Sequence, residues 1–232
     1  MTRGNRPLGG KADLQVVSSE SSGMVMRYEL ALWDFDGTLA DTLASSLRIY
    51  NELAVRHGFR TVTDPEAARG LTPLGFLRSH DIPLASVPSL LRNVRAAHRQ
   101  EMADTRLFPG LSPVLGSLRQ AGCRLGILSS NARENIVACL RANRVEGLFE
   151  SVVGYSRLLG KARGIRRQLR ARALDRRRVV YVGDEVRDIE AARQAGVAVA
   201  AVTWGFNAAD LLAQHAPDYL VEQPEQLLSL LG

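Results

Sequence analysis

Leu32-Trp33-Asp34-Phe35-Asp36-Gly37-Thr38-Leu39 is the stretch from which the rest of the chain can be read. Upstream of it, Glu29-Leu30-Ala31-Leu32-Trp33 is apolar enough for a buried strand. That strand ends on two acids two positions apart, followed by a glycine and a hydroxyl residue. On a regular strand such carboxylates share a face but lie well apart along it. They converge on one site if the strand stops near Asp34 and the chain turns, which Gly37 permits. The carboxyl end of a strand is where an open α/β sheet places its ligands. Taken alone, D-x-D-G reads equally well as a solvated acidic turn.

Three stretches further along decide between the two. Gly126-Ile127-Leu128-Ser129-Ser130-Asn131 is an apolar strand ending in a hydroxyl, and Gly160-Lys161 opens a helix. Val179-Val180-Tyr181-Val182-Gly183-Asp184-Glu185-Val186-Arg187-Asp188 is a strand ending in Gly-Asp-x-x-x-Asp. With Asp-Phe-Asp-Gly-Thr-Leu these make four motifs, in order, that resemble the haloacid dehalogenase-like hydrolase superfamily, most closely its phosphatases of the phosphoglycolate phosphatase type. The resemblance covers about residues 28 to 231. It implies an α/β fold, a Rossmann-like parallel sheet with the first strand central, and an inserted helical cap domain.

Composition agrees with a globular protein. The chain has 232 residues, 46% of them apolar, enough for one domain with an insertion or for two small domains. Cys123 and Cys139 are too few for a disulfide framework and read as reduced, buried thiols. The basic N-terminus lacks the apolar run of a signal peptide, and no stretch approaches the roughly 20 apolar residues of a membrane span. The expected location is the cytoplasm, as a monomer or homodimer with no membrane contact.

Residues 1–27, rich in Gly, Ser and Arg, read as a flexible tail, with Met24 or Met26 as alternative starts. Residues 28–41 and 106–232 are expected to form the core, and 42–105 the cap. In the cap region, helices are predicted from Asp41-Thr42 to His57-Gly58, from Asp64-Pro65, over Leu74 to His80, and from about Ser89 to Ala103. Pro83 and Pro88 are read as breaks. Beyond it, strands at 123–128, 149–153, 178–182, 197–202 and 217–221 alternate with helices at 112–120, 132–143, 161–173, 189–195 and 224–231. That alternation argues for a parallel sheet covered on both faces.

Phosphoryl transfer needs an in-line nucleophile, a positive field around the transferring oxygens and a proton for the leaving oxygen. By resemblance, Asp34 is the nucleophile and forms an aspartyl-phosphate. Asp36 is then the general acid and base, and Lys161 the counter-charge of Asp34 and the phosphate. Ser129, with the backbone N–H groups of Ser130 and Asn131, would bind the phosphate. Mg2+ would be held by Asp34, the backbone carbonyl of Asp36, and Asp184. Asp188 would act behind it, through water or Lys161. In the cap, the turn Arg69-Gly70-Leu71-Thr72-Pro73 is the expected reach into the site, with Arg69, Gly70, Thr72 and Arg78 as substrate contacts.

The superfamily holds several activities. Its dehalogenases lack the second acid, so Asp36 argues against that branch. Its phosphonate hydrolases use a cap lysine, and residues 42–98 contain none. The expected reaction is hydrolysis of a small phosphate monoester, phosphoglycolate-like or a sugar phosphate, with a sugar phosphomutase as the alternative. A third reading is a basic binding protein. From Arg157 to Arg178 ten Lys or Arg face one acid, Asp175, and the net charge is +6. No aromatic residue is interleaved after Tyr155, so a solvated helix face is expected there and nucleic acid is not expected as a partner.

Overall fold

The computed structural model of the protein describes residues 27–154 and 160–231. Met24, Met26 and the remainder of the expected tail to residue 26, Tyr155, and Arg157 at the head of the basic stretch lie outside them.

The first strand, β1 (Leu30–Trp33), is followed by four helices: α1 (Leu43–His57), α2 (Pro65–Arg69), α3 (Pro73–Ser79) and α4 (Val87–His98). Then come α5 (Leu111–Gln120), β2 (Arg124–Leu128), α6 (Arg133–Ala142), β3 (Phe149–Val153) and α7 (Lys161–Arg172). The chain ends with β4 (Val179–Gly183), α8 (Val186–Ala195), β5 (Ala198–Val202), α9 (Ala209–Gln214), β6 (Tyr219–Val221) and α10 (Gln226–Leu231). Among the described residues the strands form one sheet in the order β3-β2-β1-β4-β5-β6, every neighbouring pair parallel. The expected α/β core and the central first strand are both found.

Burial explains why β1 is apolar throughout. Leu30 and Leu32 point to one face, where they pack with Ile165 of α7 and Ile189 of α8. Ala31 and Trp33 point to the other, against Leu115 and Leu118 of α5 and Ile136 of α6. A strand covered on both sides has no solvent face to mark with polar residues. β6 is the edge expected from Pro217 to Val221.

The helical block between β1 and β2 has its own apolar cluster, with Ile49, Tyr50, Leu53 and Ala54 of α1 packed with Val62, Ile82 and Leu90. α1 ends at Gly58, which adopts φ +71° as its C-terminal cap. Asp64 caps α2 by accepting from the N–H groups of Glu66 and Ala67. Thr72 caps α3 in the same manner through Gly75 N–H.

Three sequence expectations need correction. Pro88 does not break a helix; it lies in the first turn of α4, where a missing N–H leaves nothing unpaired. That helix stops at His98 and not near Ala103, because the chain must turn back for Leu107 to bridge Ala40. Helix α9 was not expected at all: its six residues carry no side-chain cap and are too short to show a period. Cys123 and Cys139 are both free and buried, as expected.

Leu118 is fully buried where α5 meets the sheet. Leu118→Ala should cost about 2–5 kcal/mol and lower the melting temperature by roughly 2–4 °C for each of them, read by thermal and urea denaturation. A loss within the ±0.5 kcal/mol typical of surface changes would contradict this packing.

Candidate active site

β1 stops at Trp33, and the chain folds into a tight turn in which the Phe35 carbonyl accepts from the N–H groups of Leu39 and Ala40, both at 2.9 Å. Gly37 sits in that turn with φ +73°, and a Cβ there would lie 2.3 Å from Asp184 Oδ2 and from the Phe206 ring. Glycine is therefore required by conformation and by close approach together. The turn sets Asp34 and Asp36 at the carboxyl edge of the sheet, as read from the sequence.

Asp34 is buried, its Oδ1 accepting from Phe35 N–H at 2.8 Å and its Oδ2 from Lys161 Nζ at 2.6 Å. Lys161 is the first residue of α7, and its ammonium also donates to Asp188 Oδ1. The other oxygen of Asp188 accepts from Glu185 N–H at 3.1 Å, closing a capping box at the start of α8. The ring of Tyr181 lies beneath the ammonium, 5.3 Å away. Asp184 ends β4 fully buried, accepting from Thr38 Oγ1 at 2.5 Å and from Phe206 N–H at 2.7 Å.

These contacts set the charges. Burial works against the Asp34 carboxylate, but Lys161, helped by Arg187 and the Phe35 N–H, holds its carboxyl below the usual range. Burial and then the neighbouring Asp34 push Asp36 up to about 7. Burial, followed by Glu185, Asp188 and Asp34, pushes Asp184 well up. Asp188 stands at about 6, raised by burial and only partly relieved by Lys161. Burial disfavours the Lys161 ammonium, yet Asp188 and Asp34 outweigh it and keep the lysine charged.

A divalent cation suits this donor set. Carboxylate oxygens of Asp34, Asp184 and Asp188 all lie within 4.8 Å of one another, buried and all hard oxygen. The sequence expectation named Asp34, the Asp36 carbonyl and Asp184, with Asp188 behind them. The cluster contains Asp188 as well, but both of its oxygens are already engaged by Lys161 and Glu185.

The remaining expected residues fall into two groups. Ser129, just past β2, is buried and its Oγ accepts from Asn131 N–H at 3.2 Å. Asn131 Nδ2 donates to both Asp36 oxygens, at 3.0 and 2.9 Å, while its Oδ1 accepts from Ala132 N–H and Asn135 Nδ2. The side chain of Asn131 thus orients Asp36, a contact the sequence did not suggest. Ser130 faces a cavity of about 300 Å3 that opens beside Asp36 under the helical block. Of the expected cap contacts, Arg69 lines this cavity, whereas Gly70, Thr72 and Arg78 do not. The guanidinium of Arg69 is spent on the core loop, with Nε donating to Gly205 O at 3.0 Å and Nη2 to Thr203 O at 2.7 Å.

Other contributors went unread. Asn207 accepts from Val186 N–H at 2.9 Å and donates to Leu71 O at 3.1 Å, joining the start of α8 to the helical block. Glu185 and Arg187 form an ion pair on the cavity floor. Arg187 lies inside Gly-Asp-x-x-x-Asp, where its position gave no separate signal.

A family model described as haloacid dehalogenase-like hydrolase matches residues 31–202. The chain belongs to that family. It is 36% identical to a phosphoglycolate phosphatase of Synechococcus elongatus, over 85% of this chain and 94% of the relative. It is 26% identical to the pyrophosphatase PpaX of Listeria innocua, over 86% of this chain and 94% of that one. A structure described as a predicted phosphatase from Clostridium acetobutylicum superposes with a TM-score of 0.74 at 20% identity, covering 88% of this chain and 97% of that one. The family resemblance drawn from the four motifs is met, and so is the enzyme class, a haloacid dehalogenase-like phosphatase.

Among the described residues no helix is long and apolar enough to cross a membrane. Within the basic stretch, Arg172 pairs with Glu150, Arg177 with Asp175 and Arg178 with Glu29, while Arg166 donates to Gln194 O.

Lys161→Met removes the ammonium between two buried carboxylates. Breaking such a pair typically costs about 3–5 kcal/mol, and the loss should depend on pH. Asp188 ordinarily titrates at 3.8 and already stands at about 6 beside the ammonium; without it the folded value rises further. The same ammonium holds Asp34 below its ordinary 3.8, so that carboxyl also rises in the variant; the deficit against wild type should open as pH climbs through about 4 and grow further as pH passes 6. Denaturant melts in chelator at several pH values check this; a pH-independent deficit would contradict it.

Proposed function

We propose that the protein is a Mg2+-dependent phosphatase that hydrolyses a small phosphate monoester through an aspartyl-phosphate on Asp34. The observation that carries the reading is the Lys161 ammonium shared by Asp34 and Asp188, with Asp184 and Asp36 on either side. An ionised, oriented Asp34 is a carboxylate nucleophile. Its oxygen attacks phosphorus while the bond from phosphorus to the leaving oxygen breaks. Asp36, raised to about 7 and held by Asn131, gives its proton to that oxygen, which departs as the alcohol and leaves Asp36 ionised. The ionised Asp36 then takes a proton from water, whose oxygen attacks the aspartyl-phosphate and frees inorganic phosphate and Asp34.

In this reading Ser129 and the N–H groups of Ser130 and Asn131 receive the phosphate oxygens, and Lys161 neutralises them. Mg2+, held by Asp34, Asp184 and the Asp36 carbonyl, supplies a positive field at the phosphoryl oxygens and offsets the crowded acids. Asp188 acts through Lys161. The helical block 42–105 serves as a cap that shields the site from water. Arg69 latches it to the loop at Thr203 and Gly205, and Thr72 caps the helix that follows that turn. The substrate would be a free metabolite met in the cytoplasm.

Asp34→Asn should abolish phosphate release from an ester in the presence of Mg2+, with the fold intact by circular dichroism. Substantial turnover in that variant would move the nucleophile elsewhere. Asp36→Asn should lose ~10²–10⁴-fold with alkyl esters but give a burst of alcohol from an aryl phosphate. Product analysis completes the test: free phosphate is expected, and an isomeric phosphorylated product would make the enzyme a mutase.

A further inference from the structure

The cavity above Asp36, about 300 Å3, stands at the small end of ligand pockets, which run from roughly 300 to 1,000 Å3. Its floor is polar, with Asp36, Ser130 and Asn131, and continuous with the proposed phosphate site. Its upper wall is apolar. Leu43, Leu71 and Leu91 line it and are half-buried, yet they belong to none of the three packed apolar clusters of the molecule. Three leucines from three separate parts of the cap therefore present apolar surface to a half-open cleft, outside the packed clusters of the described residues. Such surface gains free energy when an apolar group displaces the water against it.

The charged groups around the cavity are mostly engaged. Arg69 is held by Glu66 and two core carbonyls, Arg187 by Glu185 through Nη2, and Arg95 is also engaged. His98 is buried and shares a hydrogen bond with Ser46 through Nε2, so that Arg187 Nε and His98 Nδ1 are the buried lining atoms without a partner among the described residues. A carboxylate or polyol seated against the leucines would lose water there without compensation.

We propose that the substrate of this site is a phosphate ester of an apolar alcohol, aliphatic or aryl and several carbons long, seated on Leu43, Leu71 and Leu91. The inference rests on the phosphatase reading above and deepens it by naming the leaving group. In the reaction the ester P–O bond breaks, the apolar alcohol departs with the Asp36 proton, and the oxygen of water enters inorganic phosphate.

The experiment is a series of n-alkyl phosphates from methyl to hexyl, with phosphoglycolate beside them, assayed for phosphate release with Mg2+ in wild type and in Leu91→Asn. For wild type, kcat/KM should rise about three- to fourfold per methylene buried, with hexyl phosphate ahead of phosphoglycolate. In Leu91→Asn the dependence on chain length should flatten. A flat wild-type series, or phosphoglycolate ahead of hexyl phosphate, overturns the inference and leaves the phosphatase reading standing. An undiminished slope in Leu91→Asn overturns the seat assigned to the alcohol. No phosphate from any ester would remove the phosphatase reading and the inference with it. Should Leu91→Asn fail to fold, the wild-type series alone decides.

Discussion

The Lys161 ammonium is the charge on which the site's arrangement depends. It lies buried between Asp34 and Asp188, on the first residue of α7, with Tyr181 beneath it. A buried ion pair is poor evidence for stability, since desolvating both partners cancels most of the attraction. Its effect here is electrostatic: burial alone would favour a neutral Asp34, and the ammonium keeps that carboxylate ionised while fixing its Oδ2. Five acids meet there, Asp34, Asp36, Asp184, Glu185 and Asp188, against two cations, Lys161 and Arg187. Asp184, Asp36 and Asp188 respond by rising, the sign of a negative excess that a divalent cation would balance.

That crowding is possible only because backbones come unusually close. A Cβ on Gly205 would stand 2.2 Å from Asp184 Oδ2 and 2.3 Å from the Gly37 carbonyl. Two glycines, one after β1 and one after β5, thus leave room for the Asp184 carboxylate between their turns. Thr38 and Phe206, one beside each glycine, then supply its hydrogen bonds.

The same loop after β5 joins the sheet to the helical block. Arg69 and Asn207 tie the turn between α2 and α3 to it, and Asn135 of α6 donates to Arg95 O at 3.2 Å. Both joints use backbone carbonyls as acceptors, so they hold position without depending on a bound ligand. The cavity lies beside them, with motif residues on its floor and leucines of the helical block on its roof. The relatives are named for phosphoglycolate and for pyrophosphate.

How much was legible follows from the range of the interactions involved. Strand runs such as Leu30–Trp33 and Val179–Val182 are apolar because both faces are covered, and caps such as Asp64 and Gly58 act within one turn; both signals are local and were read directly. Asp34, Asp36, Ser129, Lys161, Asp184 and Asp188 were named from the four motifs that resemble the family, and a parallel sheet brings the strand ends that carry those motifs to one edge. The hold of Asn131 on Asp36, the latch of Arg69 and the reach of Asn207 to Leu71 join residues 95 to 136 positions apart. The leucines that face the cavity are nearer one another, but nothing local tells an apolar residue that lines a cavity from one that is packed. Sequence alone determined the sheet and the motif order, because those follow from local pattern. Which side chains orient the acids, and which face the cavity, was decided only by the tertiary structure, because those contacts exist only once distant segments have packed together.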